Sequence, residues 1–105
     1  MDRRKTLINK LKAFKLRLNK ELPIKKFIFF GSRAAGQFRK DSDIDIILVS
    51  NKFRNKKFRF RPLGFHNYWN LDYPVDFLCY TPEEFNKLRK QITIVREAVK
   101  EGIEI

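Results

Sequence analysis

Two short β-prone runs, and the turn that leaves the first of them, constrain this chain more than anything else in its 105 residues. Ile24 to Phe30 (Ile-Lys-Lys-Phe-Ile-Phe-Phe) stops at Gly31-Ser32; after ten intervening residues Asp43-Ile44-Asp45 opens the run Asp-Ile-Asp-Ile-Ile-Leu-Val. The first run predicts a strand that glycine ends, so the backbone N–H groups after Gly31 can face an anion such as a triphosphate. In the second run a strand's period of two puts Asp43 and Asp45 on one face and turns Ile44 and Ile46 to the other. Paired carboxylates are hard oxygen donors suited to Mg²⁺. A third acid, Asp76, sits in the apolar segment Tyr73-Pro74-Val75-Asp76-Phe77-Leu78-Cys79-Tyr80, where a lone carboxylate is costly to bury without a cation. Phosphoryl transfer with two ions needs bridging carboxylates of this kind, and three clustered acids repel one another unless metal or protons neutralise them. A satisfied turn acid is the plainer reading of an Asp-x-Asp pattern, but an acid inside an otherwise apolar strand, as Asp45 is, has no such use.

The stretch from Gly31 to Val49, Gly-Ser-Arg-Ala-Ala-Gly-Gln-Phe-Arg-Lys-Asp-Ser-Asp-Ile-Asp-Ile-Ile-Leu-Val, resembles the signature of the minimal nucleotidyltransferase (MNT) domains of the polymerase-β superfamily. Pro74 to Leu78 followed by Thr81-Pro82-Glu83-Glu84-Phe85 resembles that family's third-acid strand and closing helix, so the likeness covers most of the chain from about Ile24 onward. The resemblance implies a polymerase-β-like α/β (α+β) fold with a small mixed sheet flanked by helices. It implies Asp43, Asp45 and Asp76 as the metal and catalytic triad for two Mg²⁺ ions, Gly31 and Ser32 as triphosphate contacts, and ATP as the donor. Relatives of this size often act as antitoxins that adenylylate a helical HEPN toxin, so the acceptor it implies is a protein hydroxyl, that of a tyrosine. Many relatives carry a second Arg where this chain has Ala35, which weakens one phosphate or partner contact but leaves the triad. Arg33 is open to two readings, a contact to the nucleotide or acceptor and a solvated surface residue. Two other functions stay open: transfer to RNA or a small hydroxyl-bearing molecule, and an antitoxin that neutralises its partner by contact alone.

Length predicts one domain over residues 1–105, too short for the separate base-binding domains of larger polymerases. With 24 Lys and Arg against 12 Asp and Glu, the chain should attract nucleic acid, an acidic protein or polyanionic substrates. The basic residues concentrate between Lys52 and Arg61, where six of ten are Lys or Arg, a candidate nucleic-acid or partner dock. One cysteine excludes an internal disulfide framework, and no apolar run approaches the ~20 residues of a membrane span, so no membrane partner and a cytoplasmic location are expected. Cys79 reads as a core residue, and His66, without a second ligand nearby, as a polar loop residue.

Leu7, Leu11, Phe14, Leu18 and Leu22 recur at helical spacing and predict an amphipathic first helix ended by Pro23. A short helix over Ser32 to Phe38 would aim its N-terminus at phosphate. Lys56 to Arg61 alternates like a strand, with Phe58 and Phe60 on one face; nearby, Tyr68 and Trp69 are candidate aromatic contacts or core. Twenty residues from Asn51 to Asn70 are too many for a structureless connection. Thr81-Pro82-Glu83-Glu84 is a capping-box start, and Phe85, Leu88, Ile92, Val95 and Val99 extend one apolar stripe toward a stop at Gly102, with Ile103 to Ile105 as an edge strand.

Overall fold

The expected apolar stripe builds the first element. In a computed structural model, which describes residues 3–36 and 43–105 apart from the side chain of Arg3, α1 runs Arg3–Asn19. It buries Leu7, Leu11, Phe14 and Leu18. The helix ends before Pro23, as its sequence predicts: Asn19 Oδ1 accepts the Ile24 N–H at 2.8 Å, turning the chain toward the sheet. The strands are β1 (Lys26–Phe30), β2 (Ile44–Val49), β3 (Val75–Tyr80) and β4 (Ile103–Glu104), and helices α2 (Pro82–Leu88) and α3 (Ile94–Glu101) lie between the last two. Their order across the sheet is β3-β2-β1-β4, with β1 antiparallel to both neighbours and β2 parallel to β3. This is the mixed α/β architecture predicted from sequence.

The period of two sorts the strand residues onto two cores. Phe27, Phe29, Ile44, Ile46, Leu48 and Cys79 meet α1 on one face, whereas Ile28, Phe30, Ile47 and Val49 meet Phe85, Val95 and Ala98 of α2 and α3 on the other. β2 is therefore covered on both sides, which is why its sequence is a nearly continuous apolar run. Trp69 belongs to the first core: its ring packs edge-on against Phe14 and Phe77, with centroids 5.0 and 5.8 Å apart, and its Nε1 donates to Tyr73 O. Cys79 is also core. Burial pushes its thiol up to about 12 despite the opposing pull of Arg61 and Lys56, so it is inert near neutral pH. Among the described residues no helix is long and apolar enough to cross a membrane.

Three local expectations are corrected. Lys56 to Arg61 is not a strand. The connection from β2 to β3 folds as three 3₁₀ turns, Asn51–Phe53, Phe58–Phe60 and Phe65–Asn67, with His66 exposed in the last. Parallel strands cannot be joined by a tight turn, so this long crossover is a demand of the topology. Arg61 decides its path: only 7% exposed, it donates to Lys56 O, to Cys79 O on the edge strand β3, and through both terminal nitrogens to Glu84.

The closing helix is two helices. Its start is as predicted, since Thr81 and Glu84 cap each other and Pro82 opens α2. The stripe then breaks at Ile92, which is 93% exposed. Thr93 donates its hydroxyl to Leu88 O at 2.7 Å and accepts from the Arg96 N–H, so it ends one helix and caps the next. Helix α3 stops at Gly102 and the chain goes on to form β4, as predicted; a Cβ at Gly102 would overlap Ala98 O and crowd Ile28.

Finally, residues 32–36 form turns rather than the start of a helix; the rest of that expected helix, Gln37 and Phe38, lies outside the described residues.

Candidate active site

Strand register assembles the site. β2 and β3 run parallel with Asp45 level with Asp76, and on its other side Asp45 is paired with Phe30, the last residue of β1. The turn that leaves β1 therefore starts where the acids are. Asp43 lies one residue ahead of β2 on the same face as Asp45, which is the face toward α2 and α3. Asp43 and Asp76 are exposed and Asp45 is half-buried. Asp45 carries the electrostatic load: burial first, then the charges of Asp76 and Asp43, push its carboxyl above the usual aspartate range. A group in that position gains from a cation or a proton nearby.

Gly31 is required twice over. Its φ of +88° lies in the left-handed region, and a Cβ at this position would overlap Asp45 Oδ2. The turn then closes through Ala35 N–H to Gly31 O at 3.2 Å and Gly36 N–H to Arg33 O at 3.1 Å. Arg4 of α1 holds it from outside by donating to Ala34 O at 3.2 Å. Gly31 is exposed and Ser32 half-buried, but Arg33 turns inward: it is 5% exposed, with its guanidinium 4.7 Å from the centre of the Tyr73 ring. The solvated-surface reading of Arg33 is thus incorrect.

A cleft of about 400 Å³ runs along this turn, with Gly31, Ser32 and Asp45 on one wall and Ile94, Glu97 and Glu101 of α3 on the other. Sequence reading missed Glu97, Glu101 and Tyr73. The spacing of Ile94, Glu97 and Glu101 does mark one helical face, but only the packing of Val95 and Ala98 onto the sheet turns that face to the turn. Among the described residues no three Asp, Glu, His or Cys side chains converge closely enough to enclose a metal ion by themselves. The acids form an open set of oxygen donors on two adjacent strands, whose donor type and mutual repulsion fit a hard divalent cation completed by other oxygen ligands.

The basic segment lies elsewhere. It follows the C-terminal end of β2, where Ser50 N–H bonds Tyr80 O, whereas the acids sit at the N-terminal ends of β2 and β3. The strand length separates the two by roughly 16 Å. Two of its six cations are in ion pairs, Arg61 as described and Arg54 with Glu83, and the Arg59 guanidinium lies 4.7 Å from the centre of the Phe60 ring.

This chain matches the nucleotidyltransferase domain family over residues 11–101, a span that contains both acid-bearing strands and the turn. Its fold is similar to a candidate nucleotidyltransferase from Sulfolobus solfataricus, with a TM-score of 0.65 and 20% identity over 96% of this chain and 80% of that one. A second solved structure of a candidate nucleotidyltransferase gives a TM-score of 0.46 and 23% identity over 79% of this chain and 87% of the other. No curated protein matches the chain. A polymerase-β-like sheet that sets a glycine turn against carboxylates, together with a family match over most of its length, makes this chain a member of the nucleotidyltransferase domain family.

Proposed function

We propose that this protein transfers AMP from ATP to a hydroxyl of a protein, a tyrosine of a HEPN-type toxin partner, and so acts as an antitoxin in the cytoplasm. The observation that carries the transfer reading is Asp45 level with Asp76 on parallel strands, beside the Gly31 turn. In this reading the acceptor oxygen attacks the α-phosphorus and its proton passes to the exposed Asp76. The bond from the α-phosphorus to the bridging oxygen breaks, and pyrophosphate leaves against the backbone of Gly31 and Ser32. Mg²⁺, as two ions held by Asp43, Asp45 and Asp76, supplies charge neutralisation when bound with the triphosphate. The resemblance to minimal nucleotidyltransferases supports a HEPN acceptor.

One further observation favours protein over RNA. Glu97 and Glu101 face the cleft from α3, and the basic segment lies at the far end of the sheet. An RNA acceptor would meet carboxylates where it must be held closest, without the cations that accompany a triphosphate. The test is transfer of α-labelled AMP, with Mg²⁺, to a co-expressed HEPN-type protein, to RNA and to small hydroxyl compounds. Label on a protein tyrosine, lost in Asp45→Asn, is expected. Label on RNA alone would overturn the acceptor, and an Asp45→Asn protein that still protects cells without transferring anything would make the chain a contact antitoxin.

A further inference from the structure

We infer that Arg33 is a positioning residue for the nucleotide, acting through its stack on Tyr73 and not by touching phosphate. The inference rests on the reading above, in which the Gly31 turn holds the triphosphate opposite the acids.

The turn has little stiffness of its own. Gly31 and Gly36 bound it, both at positive φ, and Gly31, Ala35 and Gly36 are exposed. Between them Arg33 is buried, although a chain with a net charge of +12 has ample reason to keep a cation in water. A planar guanidinium over an aromatic face is the arrangement in which such burial is tolerated. The location of that face gives the stack its meaning. Tyr73 leads through Pro74 into β3, whose second residue is Asp76. Pro74 O accepts the N–H of Ile44, the residue between Asp43 and Asp45, at 2.9 Å. The entrances to both acid-bearing strands are thus tied at one point, and Arg33 hooks the turn to the same point. Arg4, donating to Ala34 O, pins the turn from α1. Loosening the stack leaves all three carboxylates in place but frees the turn that must face them. Positioning is as demanding as contact here, because misplacing a phosphate cradle by about 1 Å forfeits much of its effect.

The experiment measures equilibrium affinity for ATP with Mg²⁺ at 25 °C on the full chain, with circular dichroism melts confirming that each variant is folded. The variants are Arg33→Met, Arg33→Lys, Tyr73→Leu, Tyr73→Phe, the Arg33→Met/Tyr73→Leu double and Asp45→Asn. Tyr73→Phe keeps the ring and should bind within twofold of wild type. Tyr73→Leu and Arg33→Met should each weaken binding about tenfold, and the double variant no further, because both substitutions cut the same stack. Arg33→Lys keeps the charge, loses the plane, and should fall with the weak group; with Tyr73→Phe it decides the matter if the larger truncations do not fold. Weak binding by Arg33→Met beside wild-type binding by Tyr73→Leu would mean that Arg33 acts by a route other than the stack and overturn the inference. So would wild-type affinity in every Arg33 and Tyr73 variant, or losses that multiply in the double. A wild-type protein that fails to bind ATP with Mg²⁺, or an Asp45→Asn protein that binds it equally well, would instead strike the site reading itself and the inference with it.

Discussion

Asp45 and Gly31 depend on each other at the scale of single atoms. The carboxylate occupies the space a methyl group would need at Gly31, whereas Gly36 has the same backbone twist with nothing within 4 Å among the described residues. That contrast separates backbone strain from collision. Gly36→Ala should cost about 1–2 kcal/mol, the price of a Cβ in the left-handed region, and leave transfer within a few fold. Gly31→Ala should cost more in urea unfolding and lower transfer at least tenfold, because Asp45 must move; equal effects at the two sites would refute the packing argument. Asp45 also has a pH signature in the metal-free protein. Its raised folded pKa means the fold binds a proton more tightly than the unfolded chain does. Its contribution favours folding below the unfolded value of about 3.9 and is lost as pH rises through the folded value. Asp45→Asn should therefore melt above wild type at pH 7, and the gap should close toward pH 3. A gap that widened in acid would contradict the assigned cause.

Among the elements, the crossover and α2 are locked together by one buried cation. Arg61 holds Glu84 below the usual glutamate range, helped by the Thr81 N–H, so Glu84 both caps α2 and anchors the 3₁₀ turns. The sign is opposite to that of Asp45. A depressed acid contributes stability that is full above the unfolded value of about 4.3 and disappears as pH falls through the folded value. Glu84→Gln should cost about 1 kcal/mol at pH 7, under the usual figure for a hydrogen bond to a charged group because the carboxylate is 43% exposed. Its stability difference from wild type, followed by urea unfolding from pH 7 to pH 3, should shrink with acid. A constant difference would mean that shape, not charge, joins these elements.

Across the whole molecule, the site acids and the basic crossover lie at opposite ends of the strands. The chain carries +12 overall, yet Asp43, Asp45 and Asp76 gather at one end of β2 and β3, with the basic crossover at the other. Because the three acids do not enclose an ion alone, the nucleotide should supply the missing ligands, and metal and ATP should bind cooperatively. The melting temperature should rise with ATP and Mg²⁺ together by more than the sum of the separate shifts, on the order of 5 °C or more at saturating concentrations. The Asp43→Asn/Asp45→Asn double variant should lose that surplus. An unchanged surplus would remove these two carboxylates from the metal site.

The amino-acid sequence by itself determined what local periodicity and stereochemistry control. The stripe from Leu7 to Leu18 specifies α1, alternation sets the shared face of Asp43 and Asp45, Thr81 and Glu84 fix the start of α2, and Gly31 marks the end of β1. These depend on residues a few positions apart, so they can be read before any tertiary contact is known. The tertiary structure decided the rest, because each remaining feature pairs residues distant in sequence. Asp76 reaches Asp45 only through the parallel register of β3 on β2. Arg61 is withdrawn from an alternating, strand-like segment because Glu84 and the Cys79 carbonyl offer it better partners than water does. Arg33 leaves the surface for Tyr73, and Glu97 and Glu101 reach the cleft only because Val95 and Ala98 are held against the sheet.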